Sequence, residues 1–201
     1  MTGVVIPFER LGERRPVPPL VFVELHNDQL ADRSAFGDTQ VARVLRNCRM
    51  LRDIARARGW PLGFLNPLPP RHETYRRAQA PWIEGFEPRR DDMVFERTDG
   101  SCYSSLEFAD AIADLGSEFV LAGFSGDGAC LATLIDAARH GHRASFIEDA
   151  SATRPLDGFN AVESHRALVA IASRYATIVS TDYWIKVAGT IHSAPELQNG
   201  I

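Results

Sequence analysis

The 201-residue sequence predicts a Rossmann-like α/β domain in three layers, with helices on both faces of a six-stranded parallel sheet. Three observations carry that reading. Short apolar, β-branched runs recur along the chain, segments with helical spacing separate most of them, and one run ends in the glycine-rich turn "GFSGDGACLAT" at 123–133. Parallel strands need long crossover connections, and right-handed crossovers place helices on both faces of the sheet.

Composition bounds the class. A hydrophobic fraction of 45%, a charged fraction of 24% and a net charge of -4 describe an ordinary globular chain. No nucleic-acid or membrane partner is expected from such a balance. Of the 22 basic residues only Lys186 is a lysine, so a mechanism that needs a titrating amine has one candidate. Cys48, Cys102 and Cys130 show no CxxC or Cys/His spacing, which argues against disulfides and structural zinc and fits a reducing cytoplasm.

The elements follow in order. Residues 1–19 carry too short an apolar patch for a signal segment and read as an N-terminal arm. "LVFVEL" (20–25) reads as a buried first strand, and "DTQVARVLRNCRMLRDIARARG" (38–59) as a long amphipathic helix with Asp38 as a possible cap and Gly59 as the stop. "PLGFLN" (61–66) reads as a second strand, followed by an irregular proline-rich excursion. "MVFE" (93–96) is a third strand, "SLEFADAIADLG" (105–116) a helix, and "EFVLAG" (118–123) a fourth strand. Helix "ACLATLIDAARHG", strand "RASFIED", helix "FNAVESHRALVAIASRY" and strand "ATIVS" (176–180) complete the series. One domain over 20–185 is expected, with a tail at 186–201. The arm and the tail are the candidate contacts of a homo-oligomer.

Ligands of such sheets bind beyond the carboxyl ends of the strands. The residues to read there are Glu24 with His26, Glu96 with Arg97, the turn from Gly123 to Cys130, and Glu148 with Asp149. A thiol in the first turn of a helix is suited to nucleophilic chemistry, because helix-terminal amides lower its pKa. Cys130 is thus either a nucleophile or a small buried hydrophobe.

Four phrases resemble the isochorismatase-like family, also called the cysteine hydrolases. "ELHND" (24–28) is similar to its D-x-Q-N-D, and "WIEGFEPRRDD" (82–92) to its I-x-G-x-x-P-x-x-x-D. "GFSGDGACLAT" is similar to its G-x-x-T-D-x-C-V-x-x-T, and "IEDASAT" (147–153) to the next strand end. The resemblance implies the fold, an oligomer and hydrolysis of a small molecule without a cofactor. It also implies three triad places: Glu24 for the family's aspartate, Glu96 for its lysine, and Ala129 for its cysteine. Cys130 lies one residue further on, rotated by about 100° on a helix.

Two functions follow from that altered triad. In the first, the chain is a hydrolase without a cysteine nucleophile, cleaving a vinyl-ether type bond. Glu24 is then the proton donor, held protonated by the nearby Glu96 and helped by Asp127 and the turn amides. In the second, the chain is a silent relative that binds a small molecule or completes an oligomer. His26, Trp82, Phe124, Ser125, Gly126 and Gly128 are the candidate substrate contacts. The resemblance makes the Phe124–Ser125 bond a candidate cis peptide. Arg97 and Arg143 are possible cations. His72 and Glu73 lack the spacing of the family's metal ligands, so no metal is expected.

Overall fold

The computed structural model describes residues 17–31, 36–68 and 80–192. Strands β1 (Leu20–Val23), β2 (Leu62–Pro67), β3 (Met93–Arg97), β4 (Glu118–Gly123), β5 (Arg143–Ser151) and β6 (Thr177–Val179) form one sheet. Its order is β3-β2-β1-β4-β5-β6 and every pairing is parallel. The direction of strand progression reverses between β1 and β4, so the ends of these two strands border the crevice where such sheets take ligands.

Helix α1 (Asp28–Ala31) is short, and α2 (Asp38–Arg58) is the long helix expected from the apolar spacing. Gly37, not Asp38, holds the N-cap position of α2, and Gly59 closes it in the left-handed conformation with φ 64. Helices α3 (Leu106–Asp114), α4 (Leu131–Arg139), α5 (Ala161–Ala172) and α6 (Thr181–His192) follow. Asn160 and Glu163 form a reciprocal capping box that fixes the start of α5.

Side-chain alternation sorts the core into two halves. Leu20, Phe22, Val120 and Ala122 face α2 and α6, where Val44, Leu51, Trp184 and Ala188 meet them. Val21, Val23, Phe119 and Leu121 face α3, α4 and α5, meeting Phe108, Leu134 and Leu168. Each fully buried Phe or Leu contributes roughly 1.5–3 kcal/mol, so both faces are needed to hold the sheet.

Three differences from the sequence reading have physical causes. Val17 is already buried, so the core begins before residue 20. Helix α6 crosses the boundary expected after residue 185, because Trp184 and Ala188 recur at helical spacing and pack under α2. The expected start of the helix at Ala129 is a separate wider turn, Gly126–Cys130, with π-type hydrogen bonding. Residues 1–16 and 193–201 lie outside the described residues, as do His72 and Glu73.

Candidate active site

Glu24 follows the last residue of β1 and takes a left-handed backbone conformation, with φ 56. That conformation ends the strand and is uncommon for a residue with a Cβ. The side chain is only 6% exposed. One carboxylate oxygen pairs with the guanidinium of Arg97, and Gln29 Nε2 donates to the other at 3.2 Å.

Arg97 is the last residue of β3. It shares a face with the buried Phe95, whereas Glu96 points the other way and is exposed. The expected facing pair of Glu24 and Glu96 is therefore corrected: Arg97 reaches Glu24 and Glu96 does not. The cause is the two-residue period of a strand, in which a step of one position reverses the face. Arg97 also donates to the backbone oxygen of Asp99, and its Nε is buried without a hydrogen-bond partner. Burial lowers the pKa of Arg97, while Cys102, Cys130 and Asp99 pull the other way. Arg143, the other cation considered, lies at the start of β5 and pairs with Glu118 at the opposite end of the sheet.

The turn after β4 is tied down on three sides. Gly123 stands in register with Val23 of β1, and a Cβ there would lie 2.0 Å from the Val23 oxygen. Phe124 donates from its backbone to Val23 O at 3.0 Å, and Gly126 donates to Ala152 O at 2.9 Å. Ser125 is left-handed, with φ 58, and its oxygen accepts from both Gly128 and Cys130 at 3.1 Å. Thr133 supplies the third tie. Its hydroxyl donates to Ala129 O at 2.7 Å and accepts from the Cys102 amide at 2.9 Å, joining this turn to the 3₁₀ turn after β3.

Ala129 and Cys130 are both buried, and the Cys130 thiol contacts Phe124 O at 3.5 Å. Burial pushes the thiol's pKa well above its ordinary value, with Cys102 and Asp127 adding to the shift and Arg97 opposing it. A reactive thiol needs exposure and a depressed pKa, and Cys130 has neither. Asp127 and Gly128 are exposed and Ser125 is half-buried. Phe124 and Gly126, expected as substrate contacts, are packed inward. Phe124 meets Phe36 edge-on at 5.3 Å, and a Cβ on Gly126 would strike Leu168 and Thr153. Among the described residues no peptide bond is cis, that of Phe124–Ser125 included.

His26 and Trp82 do come together. Their backbones form an isolated antiparallel bridge and their rings lie 3.9 Å apart, centroid to centroid. Burial lowers the pKa of His26, with Asp28 and the Asn66 side chain acting in the opposite sense. His26, expected as a substrate contact, is only 1% exposed, so its imidazole is enclosed behind Trp82 and is not offered to the crevice. Gln29 is a site residue that no motif announced, since its role arises from a contact with Glu24, whereas Thr133 closes the glycine-rich motif and its clamping role depends on the distant Cys102 amide.

Among the described residues no group of three His, Cys, Asp or Glu side chains is placed to hold a metal ion. No described helix is long and apolar enough to cross a membrane. With this geometry in place, comparison with known proteins gives one family: residues 19–182 match the isochorismatase domain. No curated protein matches the chain.

Solved structures share the fold. An isochorismatase from Pseudomonas putida KT2440 superposes with a TM-score of 0.73 at 22% identity, over 88% of this chain and 96% of that one. A cysteine hydrolase from Pseudomonas syringae pv. phaseolicola 1448A gives 0.77 at 14% identity, over 90% and 96%. N-carbamoylsarcosine amidase from Thermoplasma acidophilum gives 0.64 at 22% identity, over 82% and 96%.

Proposed function

Because the chain belongs to the isochorismatase family, we propose that it is a small-molecule hydrolase that works without a cysteine nucleophile and moves its proton through Glu24. The observation that carries this reading is the ion pair of Glu24 with Arg97 beside the β1/β4 crevice, combined with the burial of the Cys130 thiol. A guanidinium does not titrate, so Arg97 supplies a fixed charge and no proton.

The reaction class that suits these groups is hydrolysis of a vinyl ether. A proton delivered from the Glu24 carboxyl to the terminal alkene carbon leaves an oxocarbenium ion. Water adds to the ether-bearing carbon of that oxocarbenium ion and returns a proton to the carboxylate. The resulting hemiketal collapses to a ketone and an alcohol, so the net change is the addition of one water. Arg97 pairs with the Glu24 carboxyl before substrate arrives, so the proton that the carboxyl donates is taken up from solvent water as the substrate binds. Trp82 and Ser125, both half-buried, are the aromatic and polar contacts for the substrate, with His26 packed behind Trp82. Asp127 stands at the open side of the crevice.

The second reading, a silent relative that binds or assembles, is favoured by one specific observation: both Glu24 oxygens already have protein partners. Turnover of a vinyl-ether panel by the intact chain, and its loss in Glu24→Gln with the fold retained, is the expected result. Full turnover by Glu24→Gln would remove the proton role, and no turnover by either protein would favour the silent relative. We infer in addition a homo-oligomer in the cytoplasm. Three unpaired cysteines and the exposed apolar residues Leu156, Phe159 and Val162 support that inference, and light scattering of the purified chain tests the assembly.

A further inference from the structure

A second cavity lies away from the Glu24–Arg97 pair, at the carboxyl end of β5 between the first turns of α2 and α5. Its volume is about 420 Å³, and Gln40, Arg43, Glu148, Val162, His165 and Arg166 line it. That volume falls within the range of small-molecule sites.

Two buried polar atoms of the residues in this wall have no hydrogen-bond partner among the described residues: Oε1 of Gln40, a residue 8% exposed, and Nε of Arg43. An unmet buried donor or acceptor is costly, and native proteins keep few of them. The two residues are three apart on α2 and share one face of it. His165 does not serve them. Its Nε2 donates to Glu148 O at 2.8 Å, so its Nδ1 accepts from the Thr153 hydroxyl at 3.1 Å. Both ring nitrogens are thereby used, and the imidazole forms a fixed wall.

The unmet atoms and the charges have one common complement. Arg43 and Arg166 suit a carboxylate, and the first offers its Nε–H as a donor. Gln40 Oε1 and the Glu148 carboxylate are acceptors that suit an ammonium group, while Val162 offers apolar surface at the rim. An inorganic anion would leave Gln40 unmet, and a simple amine would leave Arg43 unmet. We propose that this cavity is a second ligand site that binds a free α-amino acid by its zwitterionic head.

The test is isothermal titration of the intact chain with glycine, L-leucine, L-glutamate and L-lysine in turn. For the amino acid that binds best, the analogues lacking the ammonium or the carboxylate are titrated as well, such as isocaproate and isoamylamine for leucine. Saturable binding of at least one amino acid is expected, with each analogue weaker by about tenfold or more, as for the loss of a hydrogen bond to a charged group. Gln40→Leu removes the unmet acceptor, so it should keep or raise the melting temperature of the free protein and abolish binding. Arg43→Met provides the same readout should Gln40→Leu not fold. Glu24→Gln should bind the amino acid as well as the unchanged chain does, which separates this site from the proposed hydrolase centre. Lack of saturable binding by all four amino acids overturns the proposal. So does an analogue that binds equally well, or undiminished binding in the folded α2 variants.

Discussion

Arg97 pairs with Glu24 across the width of an intervening strand: Arg97 ends β3, Glu24 follows β1, and β2 lies between them. Neighbouring strands are about 4.8 Å apart, so the contact needs long side chains on both sides. Glutamate and arginine are the longer members of their charge classes, and here their combined reach closes that gap. Removing the cation by Arg97→Met should leave a buried carboxylate unpaired and destabilise the chain by about 3–5 kcal/mol, read by urea denaturation. Removing both charges in Glu24→Gln/Arg97→Met should cost clearly less than the sum of the single changes.

The three thiols should be silent in the native protein. Cys48, Cys102 and Cys130 are fully buried, and burial raises the pKa of each, that of Cys102 to about 12. An aromatic disulfide reagent at neutral pH should titrate no fast-reacting thiol before denaturation and three after it. Cys130→Ala should leave any hydrolytic turnover within about twofold, since thiolate chemistry is not available there. A tenfold loss in a folded Cys130→Ala protein would contradict the buried role.

Acid should weaken the fold before it reaches the carboxylates. Burial lowers the pKa of His26 and His165 from the ordinary value of 6.5, so the unfolded chain binds protons that the native state refuses. The stability tied to these neutral rings is complete above pH 6.5 and is lost as pH falls toward the lowered native values. Melting temperature should therefore fall as pH drops below about 6.5. His165→Gln, which can keep a donor toward Glu148 O, should flatten part of that slope. An unchanged slope would show that His165 does not contribute to it.

Gly123 is the least replaceable residue of the crevice. With φ 126 and a virtual Cβ 2.0 Å from Val23 O, any side chain would push β1 and β4 apart. Gly123→Ala should cost about 3 kcal/mol or more and lower soluble yield, whereas Gly116→Ala meets no atom within 4 Å and faces only backbone strain.

Much of the fold was legible because its signals are local. The apolar spacing of α2 and the stop at Gly59 predicted that helix to within one residue at its start, and "EFVLAG" coincides with β4. Parallel order followed from the alternation of strands and crossovers. The site was less legible, because it depends on register. Ending the third strand at residue 96 put Glu96 in the cleft, whereas the burial of Phe95 places Arg97 on the same face and Glu96 outside. The signal was present: the position two after a core phenylalanine is the one that shares its side. The π-type turn at Gly126–Cys130 had no such signal, because widening a helical turn depends on the ties to Ala152, Val23 and Thr133 from elsewhere in the chain. Helix α6 was not expected, because its buried residues Trp184 and Ala188 fall on either side of the boundary expected after residue 185.

The Thr133 hydroxyl has a mechanical consequence. By holding the Ala129 oxygen and the Cys102 amide at once, it clamps the segment downstream of the guanidinium to the one that forms the crevice floor. A shift at one is handed to the other through a single oxygen atom. Remodelling this scaffold for a differently shaped substrate would then require displacing both walls in concert, or first releasing that clamp.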